Sequence, residues 1–359
     1  MSGALRLRPA TQADAQLLFD WANEPEVRAQ SFQEAPIAWE THCAWLAGVL
    51  ADPGARLYIM LEDTEPVGQV RLQQQPSGAW RISYSIERSH RGQGYGKAIL
   101  ALLENKLCEE RSDLILEGEV KLGNIASQMV FESLGYAGRK LETHYVYRRE
   151  HFTVRDACAF VHRGGVLFLT NNRNALALYD WLSEREDVFI YSDRLNVEML
   201  DCMRPQVVVS YNYSHIIPEE IIATLPYAIV NLHVSYLPYN RGSSPNFWSF
   251  IEDTPKGVTI HEITAGLDKG NIIAQQKLTF NEDEETFAST YQKLHNVIQN
   301  LFMKIWPAIK HHSYSAYPQV GEGSYHDTQD LQDYLQGEKL NWSENICHFK
   351  KRHKLADSV

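Results

Sequence analysis

From residue 166 to residue 232 the chain repeats one pattern that few folds accommodate, a short apolar run followed by a helix-length segment and then another apolar run. Residues 166–170, 188–191, 207–210 and 228–232 read as strands, and 174–185, 195–203 and 218–225 as the helices between them. Strands alternating with helices of this length predict a parallel, doubly wound α/β sheet. After Lys256 the rhythm changes. Residues 258–263 and 272–278 read as longer antiparallel strands and 286–309 as one long helix. The aromatic-rich tail from His311 reads as a smaller appendage that packs on the core or caps a site.

The first 150 residues follow a different order. Strands are expected at 5–8, 57–61, 67–72, 80–86, 114–120 and 144–147, and helices at 13–21, 39–50, 94–108 and 125–134. Strands dominate first and then alternate with helices, so this half is expected to be a mixed sheet with helices. With 359 residues, two domains are the natural division. The boundaries expected are 1–150 for the first domain, 151–163 for a linker, 164–310 for the second core and 311–359 for the appendage.

Acidic residues outnumber basic ones, 45 to 34, for a formal net charge of −11. Such a surface repels phosphate backbones and anionic lipid, so neither nucleic acid nor a membrane is expected as a partner. The five cysteines lie far apart without metal-ligand spacing, which fits reduced thiols, and no metal site is expected. No apolar run reaches the length of a membrane span, and the N-terminus lacks the apolar stretch of a signal peptide. A cytoplasmic protein with a soluble small-molecule substrate is the expectation, with homodimerisation left open.

Arg91-Gly92-Gln93-Gly94-Tyr95-Gly96 lies between an expected strand and an expected helix. Glycines let a backbone turn tightly and bring its N–H groups to a ligand, and a helix N-terminus adds partial positive charge. Together they form a pyrophosphate cradle, although a plain glycine turn has the same residues. The segment ISYSIERSHRGQGYGKAILALL, followed by NIASQMVFESLGY, resembles the GNAT superfamily of N-acetyltransferases over about residues 5–148. The resemblance implies that the amides around Arg91, Gly94, Tyr95 and Gly96 hold the pyrophosphate of acetyl-CoA, and that Asn124 contacts the same cofactor. Where many members carry a tyrosine as general acid, this sequence has Phe131. Tyr136 is then a substitute donor, or the acid is dispensable; the alternative is that this half is a non-catalytic CoA-binding or dimerisation module.

The most informative stretch runs from 229 to 273. Asn231 and His233, two apart at the end of an apolar strand, project to one face, beyond the carboxyl end of the sheet where α/β proteins bind ligands. Asp268 follows on the turn Gly266-Leu267-Asp268-Lys269-Gly270. Taken singly, the asparagine is an ordinary cap residue, the histidine a structural one and the aspartate a turn former. As a set they suit acyl transfer to an amine: Asn231 donates to a developing oxyanion, His233 moves the proton, and Asp268 orients and charges the histidine.

Asn231-Leu232-His233, Leu237-Pro238-Tyr239-Asn240-Arg241-Gly242 and Leu267-Asp268-Lys269-Gly270 together resemble the signature of the folate-dependent formyltransferase family, over about residues 165–285. The resemblance implies a Rossmann-like domain that uses 10-formyltetrahydrofolate, with Asn231, His233 and Asp268 as catalytic residues and Ser210, Tyr211 and Asn212 against the folate. The tail, with GSYHDTQDLQ, resembles sugar N-formyltransferases that act on nucleotide-linked amino sugars, and brings Tyr325 and His326 to the substrate. The expected activity is formyl transfer to such a sugar, with a fused acetyltransferase acting on a related one, in bacterial surface-glycan or flagellin-sugar synthesis of the pseudaminic or legionaminic kind. A methionyl-tRNA formyltransferase is the alternative that shares the signature; the acidic surface weighs against it.

Overall fold

The computed structural model describes residues 4–110, 114–151, 153–155, 157, 161 and 164–356; most of the expected linker, and Cys158, lie outside these. The chain divides into two compact units, residues 1–173 with 182–205, and residues 174–181 with 206–359.

The first unit begins with β1 (Leu5–Pro9), α1 (Ala15–Asn23), α2 (Pro25–Gln30) and α3 (Trp39–Ala51). β2 (Ala55–Glu62), β3 (Glu65–Gln74) and β4 (Trp80–Ile86) follow as antiparallel neighbours, then α4 (Tyr95–Glu110), β5 (Leu116–Lys121), α5 (Ile125–Ser133), β6 (Ala137–Lys140) and β7 (His144–Arg149). The seven strands form one sheet in the order β1-β2-β3-β4-β5-β7-β6. Only β4 and β5 within it run parallel, because α4 carries the chain across between them. α2 and β6 were not legible in the sequence. α2 begins on Pro25, whose fixed φ suits a first helical position, but at six residues it is too short to show a period.

α4 packs its buried face of Tyr95, Ala98, Ile99, Leu103 and Leu107 with Val70, Leu72, Ile82, Leu116 and Tyr147 of the sheet. The first unit also holds β8 (Val166–Leu169), β9 (Val188–Tyr191) and α7 (Val197–Met203), and β8 and β9 pair in parallel as expected.

The second unit contains most of α6 (Leu176–Ser183), β10 (Val207–Tyr211), α8 (Glu219–Thr224) and β11 (Val230–His233). After β12 (Arg241–Gly242) and α9 (Pro245–Ile251) come β13 (Lys256–Glu262), β14 (Ile272–Leu278) and α10 (Phe287–Lys310). β10 and β11 are parallel; β11 with β13, and β13 with β14, are antiparallel. The sheet is therefore mixed, with the antiparallel edge that the change of rhythm after Lys256 predicts.

α10 starts where Thr286 and Ser289 cap each other's backbone, and it buries Phe287, Leu294, Ile298, Phe302, Trp306 and Ile309 along one stripe. The tail carries β15 (Tyr325–His326), α11 (Thr328–Tyr334) and α12 (Ile346–Ala356). Phe247, Phe250, Phe287, Leu335, Ile346 and Phe349 form one apolar cluster, so the tail is part of this unit's core.

Candidate functional site

The site of the second unit is built on the end of β11. Asn231 stands beside Ser210 of β10 on one side and opposite His261 of β13 on the other, and His233 stands opposite Thr259. Residues paired across a ladder share a face, so two polar residues from each of two strands converge there.

His233 is buried, with Nε2 3.1 Å from the carbonyl oxygen of Asn240. A carbonyl only accepts, so Nε2 carries the hydrogen and Nδ1 the lone pair. Nδ1 faces Asp268 Oδ2 at 3.6 Å. Asp268, expected to orient and charge the histidine, therefore does not set its tautomer. Asn240 sets it, and Asp268 stands ready to stabilise the imidazolium.

Asp268 sits in the left-handed backbone region, φ 51°, which aspartate tolerates better than most residues. Its Oδ2 accepts the N–H of Gly242 at 2.9 Å, and its Oδ1 lies 3.3 Å from Asn231 Nδ2 and 3.4 Å from His261 Nε2. Burial alone would raise its pKa, but the positive charge that His233 or His261 takes on when protonated, together with the Gly242 N–H, outweighs burial and holds the carboxyl well below the usual range. For His233 the balance is reversed: burial pushes its pKa down, and Asp268 offsets only part of the fall. The resting site is thus a neutral imidazole against a carboxylate, a base with its counter-charge in place.

The glycines of the two loop motifs have steric reasons. A Cβ on Gly242 (φ 85°) would lie 2.2 Å from the carbonyl oxygen of His326, and one on Gly270 would lie 1.7 Å from that of Glu262. Close backbone approach at these two points holds the Asp268 turn against β13 and the Arg241–Gly242 strand against the tail. The tail completes this frame. β12 pairs in parallel with β15, Ser324 Oγ accepts the N–H of Asn240 at 2.9 Å, and Gln319 Nε2 donates to the carbonyls of Asp268 and Gly270 at 2.7 and 2.9 Å.

A cleft of about 500 Å³ is lined by Leu267 and Lys269, the residues flanking Asp268 in its turn, and among others by Arg241, Glu322, Ser324 and Tyr325. Arg241 donates to the carbonyls of Pro238 and Glu322. Neither Arg241 nor Lys269 pairs with a carboxylate among the described residues. Tyr325 is half exposed on the cleft wall, whereas His326 stacks on Trp248 at 3.9 Å and meets Glu252 Oε1 at 2.8 Å, a structural placement.

Ser210 and Tyr211 are buried at the end of β10. The Tyr211 hydroxyl donates to His295 Nδ1 of α10, so its side chain belongs to the core. Asn212 turns out of the strand at φ 54°, with its Nδ2 buried and without a hydrogen-bond partner among the described residues. Sequence reasoning missed two residues of this site, Asn240 and His261. The second carried a signal, because period-two alternation along β13 puts Thr259 and His261 on one face, next to Asn231-x-His233.

In the first unit, the ladder between β4 and β5 ends at Ile82 opposite Gly118, while β4 stays paired with β3 and β5 with β7 to their ends. Ser83 to Ile86 and Glu119 to Lys121 therefore diverge. At the open end the glycine loop enters α4 with Gly92 and Gly94 at φ 73° and 88°. The first turn of a helix leaves its N–H groups without intrahelical acceptors, and here it includes Tyr95 and Gly96. A Cβ on Gly96 would meet Val130 of α5 and Tyr84 of β4 at 3.2 and 3.5 Å, so this end of the loop borders the divergence.

The Arg91 guanidinium is bound to Glu24 and to the Ile86 carbonyl, which leaves its backbone rather than its charge for a ligand. Asn124 caps α5 by accepting the Ser127 N–H at 3.0 Å. Phe131 is buried over Gly118, stacked on Tyr147 at 5.3 Å and edge-on to Tyr136 at 5.0 Å. Burial and then Glu104 push the Tyr136 hydroxyl pKa well above its ordinary value, which disfavours release of its proton.

Residues 190–305 match the family model described as formyl transferase, and residues 4–137 match that of the acetyltransferase (GNAT) domain. The formyltransferase PseJ from Anoxybacillus kamchatkensis, solved with UDP-4,6-dideoxy-4-formamido-L-AltNAc and tetrahydrofolate, is 38% identical to this chain. The match covers 50% of this chain and 95% of PseJ, with a TM-score of 0.46. The chain belongs to the formyl transferase family. Rv3404c of Mycobacterium tuberculosis, a candidate sugar N-formyltransferase, is 27% identical over 52% of this chain and 86% of its own length, with a TM-score of 0.45. This formyltransferase thus carries a GNAT domain ahead of its family domain, as both sequence resemblances imply. Among the described residues no helix is long and apolar enough to cross a membrane.

Proposed function

We propose that this formyltransferase moves the formyl group of 10-formyltetrahydrofolate onto the amine of a nucleotide-linked amino sugar. The observation that carries the reading is the convergence of Asn231, His233 and Asp268 at the end of β11, with a neutral imidazole lone pair turned toward a carboxylate. The relative that is 38% identical holds a UDP-linked 4-formamido sugar and tetrahydrofolate, which points to the same chemical class of substrate here. The pair Arg241 and Lys269 fits a diphosphate, and the unpartnered Nδ2 of Asn212 fits the acceptor-rich edge of a pterin.

The bound folate supplies an activated formyl group on N10. In the proposed reaction Asn231 donates an N–H to the formyl oxygen as it becomes an oxyanion. His233 Nδ1 takes a proton from the attacking amine, and Asp268 stabilises the imidazolium. The new N–C bond forms, and His233 returns the proton to N10 as the N10–C bond breaks, which leaves tetrahydrofolate and the formamide. Nothing in the sequence of steps requires a metal ion.

In the same proposal the GNAT domain binds acetyl-CoA. The loop amides around Arg91, Gly94, Tyr95 and Gly96 hold the pyrophosphate at the start of α4. The diverging edges of β4 and β5 offer backbone partners to the amide chain of the cofactor. Its acyl acceptor is a related amino sugar in the same class of glycan synthesis. A second reading, binding without acetyl transfer, is favoured by the buried Phe131 and the tightly held proton of Tyr136. The deciding experiment incubates nucleotide-linked amino sugars with formyl donor, acetyl-CoA or both, and reads by mass spectrometry which acyl group each sugar gains.

A further inference from the structure

His261 holds a place in the site that the three-residue mechanism does not use. It is buried at 1% exposure. Its Nδ1 lies 2.8 Å from the backbone carbonyl of Glu262, so Nδ1 carries the hydrogen. In the neutral ring Nε2 is then an acceptor, and the Nδ2 group of Asn231 donates to it at 3.0 Å. The same Nδ2 lies 3.3 Å from Asp268 Oδ1, and that oxygen lies 3.4 Å from His261 Nε2.

These three distances form a nearly equilateral triangle. The two acceptors subtend an angle of about 65° at Nδ2, roughly half of the ~120° between the two N–H bonds of a planar carboxamide. An N–H of Asn231 directed between His261 and Asp268 reaches both acceptors at once, and in that arrangement the second N–H points away from the pair. The carboxamide cannot turn over, because its oxygen would then face a carboxylate oxygen and an imidazole lone pair. With only Asp268 as anchor, at 3.3 Å, the side chain would be free to swing about that single long bond.

We propose that His261 is a positioning residue for formyl transfer. It locks the rotation of the Asn231 carboxamide so that the second N–H is already aimed when the formyl oxygen gains charge. Preorganised donors stabilise an oxyanion because no reorientation is needed during the reaction. Glu262 contributes through its backbone, since its carbonyl fixes the tautomer that gives His261 an acceptor at Nε2. The inference rests on the proposed formyl transfer, and the test separates the two.

The full-length chain, His261→Met and His261→Gln are assayed for formyl transfer to the sugar that the parent accepts. Methionine keeps the apolar bulk and removes the acceptor; glutamine can place an amide oxygen near the position of Nε2. His261→Met is expected to lose about 10- to 100-fold in kcat with KM for folate and sugar changed less than threefold, the pattern of an interaction that acts in the transition state. His261→Gln is expected to recover most of that loss. Thermal unfolding of both variants is measured alongside, and similar Tm values are expected. Parent-like kcat in His261→Met overturns the inference, as does a loss that glutamine does not relieve although the variant is folded. A parent chain that transfers no formyl group to any sugar overturns the proposed function, and this inference with it.

Discussion

His233 and Asn240 are joined by a hydrogen bond of 3.1 Å from ring Nε2–H to backbone carbonyl, and this bond leaves Nδ1, the nitrogen facing Asp268, as the only base on the ring. Asp268 then acts on charge rather than on tautomer. Since Asp268 raises the His233 pKa against the lowering by burial, Asp268→Asn takes the upward contribution away. The acid limb of the kcat/KM profile is expected to move to lower pH in this variant while kcat falls about 10²-fold or more. An acid limb that stays in place would show that another group controls it.

The second expectation concerns the GNAT domain. Gly94→Glu puts a side chain on a backbone at φ 88° and a negative charge where the pyrophosphate is proposed to lie. Calorimetry should detect acetyl-CoA binding by the parent and little by the variant, while formyl transfer by the variant stays at the parent level. Absence of binding by the parent at saturating ligand would contradict the cofactor assignment.

Legibility in the sequence followed the length scale of the signal. The apolar runs and the helices between them were readable because their periods persist over several turns or pleats, and the strand-end position of Asn231 and His233 followed from them; α12, at eleven residues, was not read. α9 and β12 were not readable, at seven and two residues. The tail was readable as an appendage that packs on the core or caps a site, but the contacts by which it does so were not. Its grip on the site runs through Ser324, Gln319 and the backbone of β15, contacts made some 50 to 85 residues away along the chain, which no local pattern encodes. His261 was overlooked because register between strands decides its importance. The motif glycines were visible as letters, but their reason, the carbonyls of His326 and Glu262, is tertiary.

That reason gives a third expectation. Gly270→Ala forces a Cβ against the Glu262 carbonyl, which also anchors His261. Overpacking of this kind typically costs about 1–3 kcal/mol. Chemical denaturation should report a loss of that size, with a fall in kcat larger than in folate affinity. A fully stable, fully active alanine variant would mean that the turn relaxes without disturbing β13.

Stability should also respond to His295. Burial lowers its pKa to about 4 from an ordinary value near 6.5, so the unfolded chain binds this proton more readily than the folded one. The resulting stability is present above the unfolded value and is lost as pH falls from about 6.5 toward 4, by about 3 kcal/mol at most. His295→Gln should flatten the difference in unfolding free energy between pH 7 and pH 4.5 relative to the parent. An unchanged pH dependence would assign the effect to other groups.

The central claim is that Asn231, His233 and Asp268 work as one formyl-transfer unit, and kinetics on the sugar identified by mass spectrometry test it most directly. Asn231→Ala, His233→Ala and Asp268→Asn should each lower kcat strongly with folate binding largely intact. The His233 and Asp268 double variant should be little worse than the worse single, because residues that act together do not add. A His233→Ala variant that keeps near-parent kcat on that sugar would contradict the mechanism.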